Sequence, residues 1–396
     1  MKTWRRLSLL KSSDNIFWIG ENIIMNIRMY ECGFGDCFRL REEGDIDLYV
    51  DFGIHNSSWN EGDRIDRFHS IIADMEKEEE RDFLLTHYHD DHFNGVKYMA
   101  DHTENKFRNV YIPDVWNIRG SVYITSLILL RGIFTKSVIA ENRTVIDFLE
   151  SICKNNSRIY FISRGDKFHN NQYIALWPEK NYVARKAHNI FNRLRNELGG
   201  ENLERIEEIA TQLNELVVAM AQDDNERTEE YISTFNELRQ EYNIVQRDFD
   251  ISYEDTYRRK IQYKLTKFGN EISIVFQNYE ASRNVLFTGD FGKKRNWKTL
   301  KNNKDGLVNM YSHYDVIKIP HHGTRNYYYD FKDKINDTSV LMIPNGRISG
   351  SWYVDAQYSR DSRSTGNRTI CAHCMACMIP VCPRGRCVYP KKYVDV

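Results

Sequence analysis

The stretch Leu84-Leu85-Thr86-His87-Tyr88-His89-Asp90-Asp91-His92-Phe93-Asn94-Gly95 constrains the fold more than any other part of the chain. Four candidate metal ligands, His87, His89, Asp91 and His92, stand within six residues, straight after the apolar run Phe83-Leu84-Leu85. His87 and His89 are two apart, so at the end of an extended strand they point the same way. Asp91 and His92 converge with that pair only if the chain then turns into a helix. The spacing therefore predicts a short strand, a ligand-bearing turn and a helix N-terminus. Neutral imidazoles with a carboxylate suit Zn, Mn or Fe(II), and this density exceeds what one tetrahedral ion needs.

Three further segments follow the same logic. Tyr30-Glu31-Cys32-Gly33-Phe34-Gly35-Asp36-Cys37, then Leu48-Tyr49-Val50-Asp51-Phe52-Gly53, read as opening strands around a tight turn. Val285-Leu286-Phe287-Thr288-Gly289-Asp290 puts an Asp at the end of an apolar strand, and Val316-Ile317-Lys318-Ile319-Pro320-His321-His322-Gly323-Thr324 puts two histidines after another. With the HxHxDH stretch, these segments resemble the metallo-β-lactamase superfamily. The TGD and K-x-P-H-H-G-[ST] forms resemble the soluble domain of ComEC-type DNA-uptake proteins. The resemblance covers roughly residues 25–180 and 268–350.

The resemblance implies an α/β fold, the metallo-β-lactamase αββα sandwich. It also implies that His87 and His89 hold one metal ion, that Asp91 and His92 hold a second completed by His321 or His322, and that Asp290 bridges them. One or two divalent ions, Zn or Mn, would then supply a metal-bound hydroxide and stabilise an in-line displacement. Asp91 and His322 are the catalytic candidates. His321 directly ends its strand and is favoured as ligand, which leaves His322 to orient substrate or protonate the leaving oxygen. Position alone also allows the reverse division. Superfamily members often carry another metal histidine between HxHxDH and the Asp. Only His102, His169 and His188 lie there, each expected at the surface or on a helix. Asp36 reads equally as a turn residue or as a brace for the metal loop.

Cations beside the centre point to the substrate. Lys293, Lys294, Arg295 and Lys298 follow Asp290 within eight residues, and Arg325 follows His322 by three. Lys293, Lys294, Arg295 and Arg325 are therefore candidate substrate-binding residues for phosphoryl oxygens. Tyr327, Tyr328 and Tyr329 could stack bases or sugars, or simply pack. Net charge is −1, so any anion binding is local rather than a property of the whole surface. The leading expectation is a phosphodiesterase or nuclease acting on nucleic acid or a nucleotide. A lactonase- or glyoxalase-like hydrolase of a small molecule, and a non-catalytic metal-stabilised sensor or assembly protein, are the alternatives.

No run of eighteen apolar residues exists, so no membrane span is expected. Residues 1–24 read as an N-terminal extension whose apolar piece is too short for a signal peptide, which makes cytoplasmic the default location. Cys32, Cys37 and Cys153 read as small buried hydrophobes. Beyond residue 350 the composition becomes a linker and a Cys-rich tail, residues 351–396. There Cys371, Cys374, Cys377 and Cys382 suit structural Zn or, with one residue too many before the last Cys, an iron–sulfur cluster.

Residues 181–267 interrupt the family pattern. Leu203, Ile206, Ala210, Leu213, Val217 and Met220 form one heptad seam, and Tyr231, Phe235, Leu238, Tyr242, Val245 and Phe249 form another. They predict an inserted helical hairpin, each arm about 30 Å long at 1.5 Å per residue. A lone hairpin leaves aromatic surface needing cover, from a homo-oligomer or protein partner or from the same chain. On this reading the insertion is dispensable for the metal site. The core resumes at residue 268, with a strand expected over 271–276 and a last strand over 340–344.

Overall fold

The computed structural model describes residues 25–42, 44–55, 58, 60–135, 144–223, 227–279, 283–292, 294–301, 306–345, 354–355, 357–358, 368–371 and 393–395. Two seven-stranded sheets dominate it. The first holds β1 (Met25–Tyr30), β2 (Cys37–Glu42), β3 (Asp47–Phe52), β4 (Arg81–Leu84), β5 (Asn109–Pro113), β6 (Arg158–Ile162) and β14 (Tyr393–Asp395), in the order β14-β1-β2-β3-β4-β5-β6. The second holds β7 (Lys167–Phe168), β8 (Tyr173–Trp177), β9 (Val275–Asn278), β10 (Val285–Phe287), β11 (Val316–Lys318), β12 (Val340–Ile343) and β13 (Arg368–Cys371), in the order β13-β12-β11-β10-β9-β8-β7.

Each sheet joins three antiparallel pairings to three parallel ones, the change falling at β3 in the first and β10 in the second. Parallel neighbours need crossovers. Helices α1 (Glu61–Met75), α2 (Asp90–His102), α3 (Ser121–Phe134), α4 (Val145–Lys154) and α9 (Lys294–Lys301) lie within them. The sheets meet face to face. Phe38, Leu40, Leu48 and Val50 of the first share one buried cluster with Phe276 and Phe287 of the second, and the Phe38 and Phe287 rings lie 5.3 Å apart. Alternate residues turn the other way, as strand periodicity demands. Tyr49, Phe52 and Phe83 join Phe68 of α1 and Val96 of α2 in a second cluster. The class is α/β with two mixed sheets, and no helix among the described residues is long and apolar enough to cross a membrane.

The insertion holds the two helices of the expected hairpin and adds to them among the described residues. Four helices occupy it: α5 (Lys180–Leu198), α6 (Glu201–Gln222), α7 (Thr228–Ser252) and α8 (Asp255–Glu271). α6 packs on α7, as the two seams predict, but also on α3, and α7 packs on α4. Every seam residue is buried: Met220, the most accessible, is 7% exposed, and Phe235 and Phe249 are fully covered. The aromatic surface that motivated an oligomer or protein partner is thus closed within one chain. Polar bonds lock the same contact, for Thr125 Oγ1 donates to Asn214 Oδ1 at 2.7 Å and Tyr242 Oη donates to Leu129 O at 2.9 Å. Phe235→Ala is expected to cost about 3–5 kcal/mol, as for other buried aromatics. Urea unfolding checks this, and an unchanged midpoint would place the ring outside the core.

Two boundaries also move. The strand expected over 271–276 starts only at Val275, because the apolar spacing Ile261, Leu265, Phe268 carries α8 on to Glu271. The expected linker and tail region contributes an edge strand to each sheet, β13 beside β12 and β14 beside β1.

Candidate metal centre

The centre lies where strands from both sheets end. β4 runs into Thr86-His87, α2 begins at Asp90 and carries Asp91 and His92, β10 runs into Asp290, and β11 runs into His321-His322. All six of His87, Asp91, His92, Asp290, His321 and His322 are buried. Asp290 Oδ2 is the point of convergence. It lies 3.4 Å from His92 Nε2, 3.6 Å from His322 Nε2, and 3.8 Å from both His87 Nε2 and His321 Nε2. Asp91 Oδ2 approaches His322 Nε2 at 3.8 Å. His87, His92 and Asp290 form one group whose ligand atoms lie within 4.8 Å of one another, and Asp91, His92 and His322 form a second.

The far nitrogen of each of these imidazoles is anchored. His92 Nδ1 lies 2.8 Å from Asp51 Oδ2, and His322 Nδ1 lies 2.9 Å from Pro344 O and 3.1 Å from Asp36 Oδ1. Thr86 Oγ1 gives its one proton to Asp51, so at 3.1 Å it accepts from His87 Nδ1. Thr324 Oγ1 donates to His321 O and accepts from His321 Nδ1 at 2.7 Å in the same way. With a proton held on Nδ1, all four Nε2 atoms turn inward, an arrangement that fixes ligand orientation. His87, His92 and His322 leave these Nε2 atoms buried without a hydrogen-bond partner. Orphaned acceptors aimed at a common carboxylate fit a bound cation.

Charge supports the same fit. Asp36, Asp51, Asp91 and Asp290 are buried around the centre, and Lys318 is the one lysine or arginine ion-paired with any of them among the described residues. Lys318 Nζ lies 2.5 Å from Asp36 Oδ2, donates to Gly289 O at 2.7 Å and stands 3.7 Å from Asp290 Oδ1. Burial opposes ionisation of Asp36, yet the Lys318 and His322 charges hold it at about 2. Burial also opposes Asp290, but His322, His92 and His321 hold its carboxyl well below the ordinary range. His87 and His89 are pushed well down, burial first, and His321 to about 4, so these rings are neutral. His92 and His322 are raised in spite of burial, by Asp290 and then by Asp51 or Asp36. Protons there supply positive charge that a metal ion would otherwise provide.

Two of the expected ligands are placed differently. His89 stacks edge-on to His87, 4.3 Å between centroids, but does not join the converging groups. Its Nε2 faces Gly269 at the end of α8, so closely that a Cβ there would lie 2.2 Å from it. The insertion, absent from the pattern that placed His89, occupies that side. Of the histidine pair, His322 enters the ligand groups, whereas His321 stacks flat on Tyr327 at 3.7 Å and 5°. Left-handed backbone at both residues, φ 46° and 54°, makes the turn that separates their rings.

Lys293 and the cysteines Cys374, Cys377 and Cys382 lie outside the described residues, and Cys371 ends β13. Arg295 and Arg325 are exposed. Tyr328 packs against Tyr358, and Tyr329 stacks on Trp297. His102 and His188 sit on helices, as expected, away from the centre. His169 is instead buried, with Nδ1 on Asp82 and Nε2 on Ile46 O, and is a satisfied core residue.

Asp51, Thr86 and Lys318 were not among the expected site residues. Asp51 ends an apolar strand just as Asp290 does, and a lysine inside Val316-Ile317-Lys318-Ile319 is an uncommon core residue; both signals were readable. Asp51→Ala frees both His92 Nδ1 and Thr86. It is expected to weaken divalent-metal binding about 10- to 100-fold, read by titration calorimetry. Parent-like affinity would make Asp51 a purely structural acid. No family model matches this chain, and neither does any curated protein sequence.

Proposed function

We propose that this chain is a metal-dependent phosphodiesterase of the metallo-β-lactamase fold, acting on nucleic acid or a nucleotide with one or two divalent ions, Zn or Mn. The observation that carries the reading is the convergence of four anchored imidazoles on Asp290 Oδ2, with three Nε2 atoms left unpaired. His87, His92 and Asp290 would hold one ion, and Asp91 with His322 could hold a second, because the single Nε2 lone pair of His92 serves only one of them. Bound ions supply a nucleophilic water at neutral pH and charge to receive the developing negative oxygens.

The remaining roles belong to the chain itself. Asp51 and Thr86 keep the His92 and His87 protons on Nδ1, and Asp36 with Pro344 O does so for His322. Lys318 engages Asp290 Oδ1, so Oδ2 is the atom presented to the centre. His321, stacked on Tyr327 and four residues before exposed Arg325, stays neutral and turns its Nε2 to the centre as an acceptor. Arg325 and Arg295 favour an anionic substrate over a neutral one.

The test is a screen of Mn- and Zn-loaded protein against bis-p-nitrophenyl phosphate, single-stranded DNA, RNA, cyclic dinucleotides and a generic lactone. Cleavage of phosphodiesters, abolished by chelation, is the expected result. Turnover of the lactone alone would sink the phosphodiester reading, and no turnover of any kind would sink the enzyme.

A further inference from the structure

The last helix of the insertion carries a pattern that the reaction centre does not use. Lys260, Tyr263, Lys267 and Asn270 are spaced 3, 4 and 3 along α8, which places them on one helix face. Tyr263 is 67% exposed, an unusual state for so large a ring, and Lys260 is exposed beside it. Lys267 Nζ lies over the Tyr263 ring, 5.5 Å from its centroid. The C-terminal end of this stripe abuts the metal centre. The Gly269 backbone packs on His89, and Asn270 Nδ2 donates to Tyr327 Oη at 3.0 Å, whose ring covers His321. From Tyr263 to Asn270 is about 10 Å along the helix axis at 1.5 Å per residue.

Two neighbouring elements add cations. Lys186 of α5 lies close enough to Arg295 of α9 and to Lys267 for both charges to act on it. Burial, then Arg295, then Lys267 push the Lys186 ammonium down to about 8. Glu271 pairs with Lys186, and Glu197 takes Lys264 on the adjacent face. Among the described residues, Lys260 and Lys267 have no such carboxylate.

We propose that the α8 stripe Lys260–Tyr263–Lys267 is a binding track for single-stranded nucleic acid, guiding the strand from the insertion to the metal centre. The inference rests on the phosphodiesterase reading and extends it. A nucleotide that ends at the reacting phosphate has no atoms to place 10 Å away, on the order of the distance given by seven helical residues; a polymer does. Cations spaced around an exposed aromatic ring bind phosphates and stack an unpaired base, whereas a duplex keeps its bases stacked on each other.

The test uses the full chain, freed of metal, and a fluorescently labelled oligothymidylate, with anisotropy read across a salt series. Tyr263→Ala is expected to weaken binding about 5- to 150-fold, the range for loss of one base–aromatic stack, while Tyr263→Phe restores it. Lys260→Ala with Lys267→Ala should lower the salt slope by about 0.7 per cation removed. Turnover of bis-p-nitrophenyl phosphate by the Mn-loaded variants should match the parent, since this small diester ends at the centre. Parent-like oligonucleotide affinity and slope in these variants, or no oligonucleotide binding by the parent, overturns the track. Stripe-dependent binding without cleavage of any phosphodiester keeps the track and overturns the reaction. Cleavage of the small diester with stripe-independent binding does the reverse.

Discussion

Asp290→Ala is expected to abolish hydrolysis and to weaken divalent-metal binding by more than about 100-fold. The lower bound comes from supporting partners of metal ligands, whose loss costs about 10- to 100-fold. Asp290 is not a supporting partner. Its Oδ2 stands between four imidazole nitrogens at 3.4–3.8 Å, so both ligand sets lose their common neighbour when it goes. The backbone has separate support: Asp290 N donates to Ser273 Oγ at 3.2 Å, and His321 N donates to Gly289 O at 3.3 Å. The variant should therefore fold with parent-like circular dichroism. Asp290→Asn, which keeps the shape and removes the charge, should fail in the same way. Parent-like metal stoichiometry and turnover in either variant would remove Asp290 from the centre.

Much of that centre was legible because its residues are local punctuation. His87, Asp290, His321 and His322 each follow an apolar strand, Asp91 and His92 open the helix after one, and such side chains are placed by their neighbours in sequence. The supporting residues were harder. Asp51 reaches His92 across 41 positions, and Lys318 meets Asp36 across two sheets. No spacing rule reports such contacts, although a charge at an apolar strand end marks a candidate. His89 shows the opposite limit. Its spacing from His87 is that of a ligand pair, but the close approach of Gly269 from α8 decides where its ring sits. The heptad seams were read correctly as helix–helix surface, yet periodicity names a buried face without naming what covers it. α3 and α4 supply that cover here.

That cover turns the insertion from an arm into part of the core, and its deletion is the harsher test. Joining residue 181 to residue 267 through a short Gly/Ser linker is expected to give a protein without a cooperative unfolding transition. Loop closure is a minor term, since it grows only slowly with length. What decides is α3. Its Ile124, Leu127, Leu129, Leu130 and Ile133 are almost completely buried, and α3 packs chiefly on α5, α6 and α8. Exposing five such side chains costs about 1.5–3 kcal/mol each, a sum comparable with the whole stability of a domain, about 5–15 kcal/mol. The deletion also strips Tyr242 from Leu129 O and Arg258 from Ile133 O, where Arg258 Nη2 donates at 2.9 Å. Arg131, which holds Asp90 at the start of α2 at 3.3 Å, sits on α3 and depends on that helix staying in place. Increased binding of a hydrophobic dye, loss of near-ultraviolet dichroism and loss of metal binding should appear together. A deletion protein that unfolds cooperatively and still binds metal would restore the insertion to the autonomous arm that its spacing alone suggests.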